Sequence, residues 1–195
     1  MLCLEENKKV VIVGIPGVGK TTVVTKVVEI LKQKNISVTV VSFGTLMFEE
    51  AQKNGIKDRD EIRKLTMEQQ QKFQKLAAER IAKLSDDVVI IDTHAFISTP
   101  SGFYPGMPDH VLQIIKPTNF IAVYAKPEII LNRRREDDAR QRDIVSIDTI
   151  KKELAVQDAM LSSCSVISGS PMKPVLNDEG KVDEAAMNVI MAIEV

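Results

Sequence analysis

The sequence predicts an α/β fold, in which a mostly parallel sheet is covered by helices on both faces. Short apolar runs typical of buried strands alternate along the chain with longer segments whose apolar residues recur at helical spacing. A glycine-rich segment lies directly between the first apolar run and the first helical pattern. At 195 residues the chain is long enough for one well-buried domain and short for two, so we expect a single domain over residues 1–195.

The composition is that of an ordinary globular protein, and it excludes several classes of partner. A net charge of −1 provides no overall field that would draw the chain to nucleic acid or to a membrane surface. Its apolar runs are far shorter than the roughly 20 residues that a membrane helix requires. Residues 1–6 lack the pattern of a signal peptide, and Cys3 and Cys164 lack metal-site spacing. A cytoplasmic protein without nucleic-acid or membrane partners is therefore expected.

The glycine-rich segment has the spacing G-x-x-x-x-G-K-[ST] of a phosphate-binding loop. It reads Gly14-Ile15-Pro16-Gly17-Val18-Gly19-Lys20-Thr21, followed by Thr22. Glycines allow backbone amides to approach an anion closely. Lys20 would reach the β- and γ-phosphates, and the Thr21 hydroxyl would ligate Mg²⁺. With a predicted strand at 10–13 and a helix to about residue 34, this segment predicts a nucleoside triphosphate site at a helix N-terminus.

The next elements are a strand at 37–43 and a helix from Thr45 to about residue 54. Charges of both signs dominate residues 57–64, where Arg59 and Arg63 would share one face of a helix. On charge pattern alone, a solvated helix is the favoured interpretation. Beside a phosphate loop, the two arginines are also candidates for holding an anionic acceptor.

A capping box and a buried strand come next. Thr66 and Gln69 have capping-box spacing and open a helix to about residue 84. The apolar run 88–91 predicts a strand that ends at Asp92. In a phosphate-loop enzyme, an acid in this place holds Mg²⁺ directly or through its water. An aspartate that caps the following turn is the simpler alternative.

Residues 95–108 contain three prolines and two glycines, which predict a shaped loop. Loops at strand ends in α/β sheets often contact ligands. His94, at the start of this segment, is interpreted as a hydrogen-bonded structural or substrate-contacting residue.

The later chain predicts a strand at 120–124 and a helix from Pro127 that runs into five arginines within 133–142. Guanidinium groups match phosphate oxygens, although a helix end with offsetting charges is the alternative. Helices at 146–163 and 182–193 and a strand at 174–177 complete the pattern.

The predicted site contains no convincing catalytic base. A phosphate acceptor is already ionised near neutral pH and needs none, so the residues favour a phosphate acceptor over a hydroxyl, with Asp92 as the one candidate base. The phosphate loop, Asp92 and residues 95–108 would gather at the carboxyl ends of the strands.

These segments resemble the archaeal-type adenylate kinases, and the resemblance extends nearly from end to end. The matching segments are GIPGVGKTT at 14–22, SFGTLMF at 42–48, KDRDEIRKL at 57–65, IDTHAFISTPSGFYPGMP at 91–108 and ARQRD at 139–143. The resemblance implies a P-loop NTPase fold with a five-stranded, mostly parallel sheet and a short lid. It also implies reversible phosphoryl transfer from MgATP to AMP, giving two ADP, in a homotrimer.

Site residues follow from the resemblance by position. It implies that the ATP phosphates contact residues 14–22 and that Mg²⁺ is held at Thr21 and Asp92. An AMP-side segment is expected at about 44–84 and a lid at about 136–146. The residues expected to contact AMP are Thr45, Arg59, Arg63 and His94. Those expected to act on the transferring phosphoryl group are Lys20, Arg133, Arg140 and Arg142.

The chain also departs from the wider adenylate kinases. No D-G-F-P-R follows the third strand, and two cysteines cannot form a four-cysteine zinc lid. Ala139 and Gln141 replace two residues of the T-R-N-R lid segment and leave both arginines in place. A kinase of CMP or UMP remains open, because base selectivity depends on a few polar contacts that spacing does not reveal. Outside the kinases, the alternative is a P-loop ATPase that acts as a switch or binding protein.

Overall fold

The computed structural model describes residues 7–62, 65–136 and 146–195, with only the backbone of residue 60. Within these ranges the chain forms seven strands and eight helices. In chain order they are β1 (Lys8–Val13), α1 (Lys20–Gln33), β2 (Val38–Ser42), α2 (Phe43–Lys53), α3 (Arg59–Ile62), α4 (Met67–Ala82), β3 (Val88–Thr93), β4 (Phe96–Thr99), β5 (Gly102–Pro105), α5 (Asp109–Ile115), β6 (Asn119–Tyr124), α6 (Pro127–Glu136), α7 (Ile147–Ser168), β7 (Met172–Leu176) and α8 (Val182–Ile193).

Five strands form one parallel sheet in the order β2-β3-β1-β6-β7. The central strands β1, β3 and β6 are almost wholly buried, as continuous apolar runs require when helices cover both faces of a sheet. This arrangement confirms the predicted α/β fold and its five-stranded parallel sheet. No helix in the described ranges has the length and apolar character needed to cross a membrane.

Two hydrophobic cores lie on the opposite faces of the sheet. Alternate residues of β1 divide between them, because successive side chains of a strand point to opposite faces. Helices α1 and α8 supply most of the helical residues of the first core, and α4 and α5 supply much of the second. The sheet is thereby packed between two layers of helices, and this packing fixes the positions of the strand ends.

The register of the sheet brings three strand ends together. Ile12 of β1 and Ser42 of β2 both lie opposite Asp92 of β3. Because all three strands run in the same direction, their carboxyl ends open at the same edge of the sheet. Asp92, near the end of β3, therefore lies directly beside the phosphate loop that follows β1.

The capping box at Thr66 is confirmed, since its hydroxyl accepts from the Gln69 N–H and the Gln69 side chain accepts from the Thr66 N–H. The predicted boundary after β2 was wrong by two residues. The Ser42 hydroxyl accepts a hydrogen bond from the Thr45 N–H at 3.4 Å, so the helix begins at Phe43. A serine N-cap, rather than Gly44, ends the strand.

Residues 95–108, predicted as a loop, contain an antiparallel hairpin of β4 and β5. Phe96 and Phe103 form an edge-to-face ring pair with centroids 5.1 Å apart. Each strand has only four residues, and Pro105 ends the second one. Because prolines usually indicate loops, the sequence did not predict this hairpin. Gly106, just after the hairpin, packs so closely on the His94 carbonyl that a Cβ would overlap it.

Candidate functional site

The phosphate loop has the conformation that its glycines allow. Gly17 and Gly19 have φ values of 90° and 81°, in the left-handed region that L side chains disfavour. At Gly14 a Cβ would lie 2.6 Å from Cγ2 of Val18, which is too close for two carbon atoms. The loop therefore depends on these three glycines to turn tightly against the start of α1.

The N-terminus of α1 is left open towards this loop. Gly19 is the N-cap residue and provides no side-chain hydrogen bond, and the first turn contains no acidic residue. Thr21 and Thr22 in that turn are exposed. The unpaired amide donors and the positive end of the helix dipole are consequently suited to an anion.

Lys20 lies against the end of β3 in this conformation. Its ammonium group forms an ion pair with the Asp92 carboxylate and donates a hydrogen bond to the Thr93 carbonyl at 2.6 Å. Apart from this ion pair, the buried Oδ1 atom of Asp92 has no hydrogen-bond partner within the described ranges. A phosphate group that binds Lys20 must therefore compete with a carboxylate and a carbonyl.

Thr21 and Asp92 have the ligand chemistry that Mg²⁺ prefers. The exposed Thr21 hydroxyl and the partly exposed Asp92 carboxylate are hard oxygen donors, and the buried Asp92 oxygen has the Lys20 ammonium as its partner. No group of three or more histidine, cysteine or acidic side chains suited to a metal occurs in the part of the chain described. The site therefore fits Mg²⁺ held by few protein ligands with waters and substrate phosphates, as this ion is commonly bound.

Arg133, on α6, holds the phosphate loop through its backbone. Its Nη1 donates to the carbonyls of Val18 and Asn177, at 3.2 Å each, and to that of Gly17 at 3.4 Å. Its Nη2 donates to the Asn177 carbonyl at 3.2 Å. The guanidinium group thus lies beside the loop that Lys20 terminates.

Two further residues, not identified from the sequence, hold the same loop. Arg134 donates from Nε to the Pro16 carbonyl at 2.8 Å and from Nη2 to the Glu153 carboxylate at 2.6 Å. Asn177 donates from Nδ2 to the Val18 carbonyl at 2.9 Å and is buried. No spacing signal points to these contacts, because their partners lie 118 and 159 residues away in the chain.

On the opposite side of β3, Arg59 of α3 is oriented by α2. Its Nη2 donates to the Thr45 hydroxyl at 3.1 Å, and its guanidinium carbon lies 6.0 Å from the centre of the Phe48 ring. Gly44 is exposed beside it, and a Cβ there would lie 3.6 Å from Nη2. The Thr45 hydroxyl therefore helps to orient the Arg59 guanidinium group.

A charged cluster keeps α2 and α4 in register. Arg80 pairs with Glu49 and with buried Glu50, which also pairs with Lys53. The hydrogen bond from Lys53, with a smaller effect of Arg80, lowers the pKa of Glu50 below its ordinary value. The carboxylate is thus ionised and anchors the two helices that flank α3.

Other titratable groups near the sheet have different environments. Burial raises the pKa of Asp158, which accepts a hydrogen bond from the Tyr124 hydroxyl. Burial also lowers the pKa of His110, on α5, and raises that of the buried Cys164 thiol to about 11. Cys164 is therefore a small residue of the core.

One cavity of about 360 Å³ joins the two halves of the site. It is lined by Lys20 and Asp92 from the phosphate-loop side, by Arg59 from α3, and by His94 after β3. Two cationic groups from distant parts of the chain thus reach the same space. Such a space can hold an anionic group between a phosphate loop and a second cation.

The matches with known proteins cover almost the whole chain. A family model described as the AAA domain matches residues 13–151. Curated adenylate kinases from Methanocaldococcus jannaschii and Thermoplasma acidophilum are 39% and 42% identical to the chain. The first match covers 97% of this chain and 100% of the relative, and the second covers 95% and 98%. The chain belongs to the adenylate kinase family.

A third adenylate kinase, from Saccharolobus solfataricus, is 41% identical over 94% of this chain and 97% of its own. Solved shikimate kinases from Bacteroides thetaiotaomicron and Acinetobacter baumannii superpose with TM-scores of 0.58 and 0.59. They are 14% and 15% identical, and the matches cover 96% and 97% of this chain and 99% and 94% of theirs. At that identity the likeness shows the P-loop kinase fold alone. Membership of the adenylate kinase family makes the chain a phosphotransferase and confirms the resemblance seen in its motifs.

Three predicted residues of this adenylate kinase family member lie outside the described ranges: Arg63, Arg140 and Arg142. Of the predicted lid, only residues 136 and 146 are described. Their predicted roles remain predictions. The remaining predicted residues divide between the phosphate loop and the cavity wall, with Thr45 linked to the wall through Arg59.

Proposed function

We propose that the protein catalyses the reversible transfer of a phosphoryl group from ATP to AMP, giving two ADP. The observation that carries this proposal is the single cavity lined by both Lys20 and Arg59. A P-loop ATPase switch needs only the first of these cations, whereas a kinase with a phosphate acceptor needs a cation on each side. The names of the curated relatives support the same reaction.

On the donor side, residues 14–22 hold the ATP phosphates. The open N-terminus of α1 provides amide donors, and Arg133, Arg134 and Asn177 hold the loop in shape through its carbonyls. Lys20 exchanges its Asp92 partner for phosphate oxygens when ATP binds. Preformed donors of this kind stabilise the negative charge that spreads over the transferring group.

On the acceptor side, Arg59 holds the AMP phosphate and is itself oriented by the Thr45 hydroxyl. His94 and, from outside the described ranges, Arg63 complete this side. The acceptor phosphate is ionised near neutral pH, so positioning and charge compensation replace proton abstraction. The reaction therefore proceeds without a dedicated general base.

Mg²⁺ is the proposed metal, held by the Thr21 hydroxyl and the Asp92 carboxylate. Bound with ATP, it neutralises charge on the phosphate oxygens. The support for it is the hard-oxygen donor pair described above.

We further propose one domain with an AMP-side segment at about 44–84 and a lid at about 136–146 that carries Arg140 and Arg142. The proposed homotrimer rests on the resemblance to archaeal-type adenylate kinases alone. The proposed cytoplasmic location rests on the composition and the spacing of the two cysteines. Light scattering coupled to size-exclusion chromatography measures the oligomer directly, and a monomer mass contradicts the trimer.

The test of function is an inhibitor that joins two adenosines through five phosphates, combined with a coupled assay of AMP phosphorylation. We expect tight binding with a stoichiometry of one per site, because the inhibitor spans both halves of the cavity. Arg59→Met should weaken the inhibitor while leaving ATP affinity nearly unchanged. Slow ATP hydrolysis that AMP does not stimulate, together with weak binding of the inhibitor, would refute the proposal and favour the switch protein.

A further inference from the structure

Two glutamine side chains of α4, Gln70 and Gln74, line the cavity between the phosphate loop and α3. They are four residues apart and therefore share one face of the helix. Both are half-buried, whereas Gln71 between them is exposed. A glutamine that points into solvent pays no desolvation free energy, whereas one that lines a cavity does. Two glutamines that line the same cavity therefore call for a functional explanation.

The amide of Gln70 has a defined orientation. Its Nε2 donates to the Leu65 carbonyl at 3.0 Å, just before the capping box that opens α4. A carbonyl accepts only from the nitrogen of an amide, so this contact determines which end of the Gln70 side chain is which. The Oε1 atom of Gln70 is consequently the end of the amide that remains as an acceptor, on a residue that lines the cavity.

The remaining wall has the composition of a binding site for a nucleotide base. Met47, Ile62 and Ile97 provide apolar surface for the faces of a flat ring. Lys20 and Arg59 provide the charge for a phosphate. A cavity of about 360 Å³ falls within the range of about 300–1,000 Å³ that small-molecule sites occupy. The amides of Gln70 and Gln74 join Ser42, Thr93 and His94 as the neutral hydrogen-bonding side chains of this wall, and they are its only two amides within the described residues.

Amide chemistry distinguishes amino bases from keto bases. Adenine and cytosine each present an amino donor next to a ring nitrogen acceptor, and a glutamine amide complements this pair. Guanine, hypoxanthine and uracil place a carbonyl oxygen where the amino group would be. That oxygen would face a fixed acceptor and leave it unpaired, which costs free energy in a buried site.

We propose that Gln70 and Gln74 read the base of the acceptor nucleotide and select amino bases, adenine first and cytosine second, over keto bases. This inference rests on the acceptor role of the cavity proposed above. Gln70 accepts from the exocyclic amino group, and Gln74 supplies the donor for the ring nitrogen. The two residues thus determine specificity, whereas Arg59 binds a phosphate whatever the base.

The test compares AMP with IMP as acceptors, since these differ at the base only in a 6-amino against a 6-keto group and the resulting ring proton. Wild-type protein should show a much higher kcat/KM for AMP, and a higher kcat/KM for CMP than for UMP. Gln74→Leu should lower kcat/KM for AMP by about tenfold to a hundredfold, mainly by raising the KM for AMP. The KM for ATP should be unchanged, and the AMP:IMP ratio should fall, while Gln70 still disfavours the keto oxygen of IMP.

Gln71→Leu is the matched control, since it changes the same residue type on the exposed side of the same helix. It should leave the AMP:IMP ratio and both KM values unchanged. Gln74→Glu keeps the shape and the acceptor but loses the amide donor, so it should also lower the AMP:IMP ratio while its melting temperature stays near that of wild type.

Retention of the wild-type AMP:IMP ratio by both Gln74 variants would overturn this inference and leave the proposed reaction intact. Equal use of AMP and IMP by wild-type protein would do the same. Failure of wild-type protein to phosphorylate any monophosphate would instead refute the proposed reaction, and this inference with it.

Discussion

Replacing Arg134 with methionine should destabilise the protein and loosen the phosphate loop. The Arg134 side chain is only 7% exposed and bonds both the Pro16 carbonyl at 2.8 Å and the Glu153 carboxylate at 2.6 Å. Methionine keeps much of the apolar stem but removes both contacts. Breaking a buried ion pair costs about 3–5 kcal/mol, and a carbonyl left without its donor costs about 1–3 kcal/mol.

Glu153 is 26% exposed, so water compensates part of its lost partner, and we expect a total cost of about 3 kcal/mol. That is a large share of the roughly 5–15 kcal/mol that stabilises a domain. Urea unfolding measures it, and the midpoint should fall by about 1–2 M at an ordinary slope. In the folded variant the KM for ATP should rise more than kcat falls, because Pro16 lies within the loop that binds the phosphates.

Two further variants separate the ion pair from general damage to α6. Arg135→Met changes the adjacent exposed arginine and should alter stability by less than about 0.5 kcal/mol. The double variant Arg134→Met with Glu153→Met should recover part of the loss, since it removes the unpaired carboxylate as well. An Arg134→Met variant as stable as Arg135→Met, or a double variant no more stable than the single one, would show that the ion pair does not support the loop.

Two other predictions concern titratable groups. The pKa of Glu50 is lowered chiefly by the hydrogen bond from Lys53, so its stabilising contribution is present above its unfolded pKa of about 4.3 and is lost as pH falls through the folded value. Urea midpoints of wild type should therefore decrease more steeply below about pH 4.3 than those of Glu50→Gln, and parallel curves would contradict the assignment. Burial raises the pKa of Cys164 to about 11, so at pH 8 about one thiol in a thousand is ionised. Iodoacetamide should leave Cys164 unmodified in folded protein and modify it in urea, as followed by mass spectrometry; equal rates in both conditions would contradict its burial.

The parallel sheet, the phosphate loop and the acid at the end of β3 were all predictable from local sequence patterns. Short continuous apolar runs between turn residues are typical of strands buried on both faces of a sheet. Gly17 and Gly19 have positive φ values, and a Cβ at Gly14 would overlap the Val18 side chain. The capping box at Thr66 was predictable because its two partners lie three residues apart. Each of these features depends on neighbours along the chain, which a sequence shows directly.

Contacts between residues far apart in the chain became visible only in the folded protein. The hairpin within 95–108 depends on cross-strand pairs such as Phe96 with Pro105, which local spacing conceals behind prolines. The contacts of Arg134 and Asn177 with the phosphate loop, and the ion pair between Lys20 and Asp92, join residues more than 70 positions apart. Their side chains look like any arginine, asparagine or aspartate until the parallel register brings the strand ends together. A hydrogen bond depends on position and direction in space, and these are properties of the packed sheet rather than of the chain.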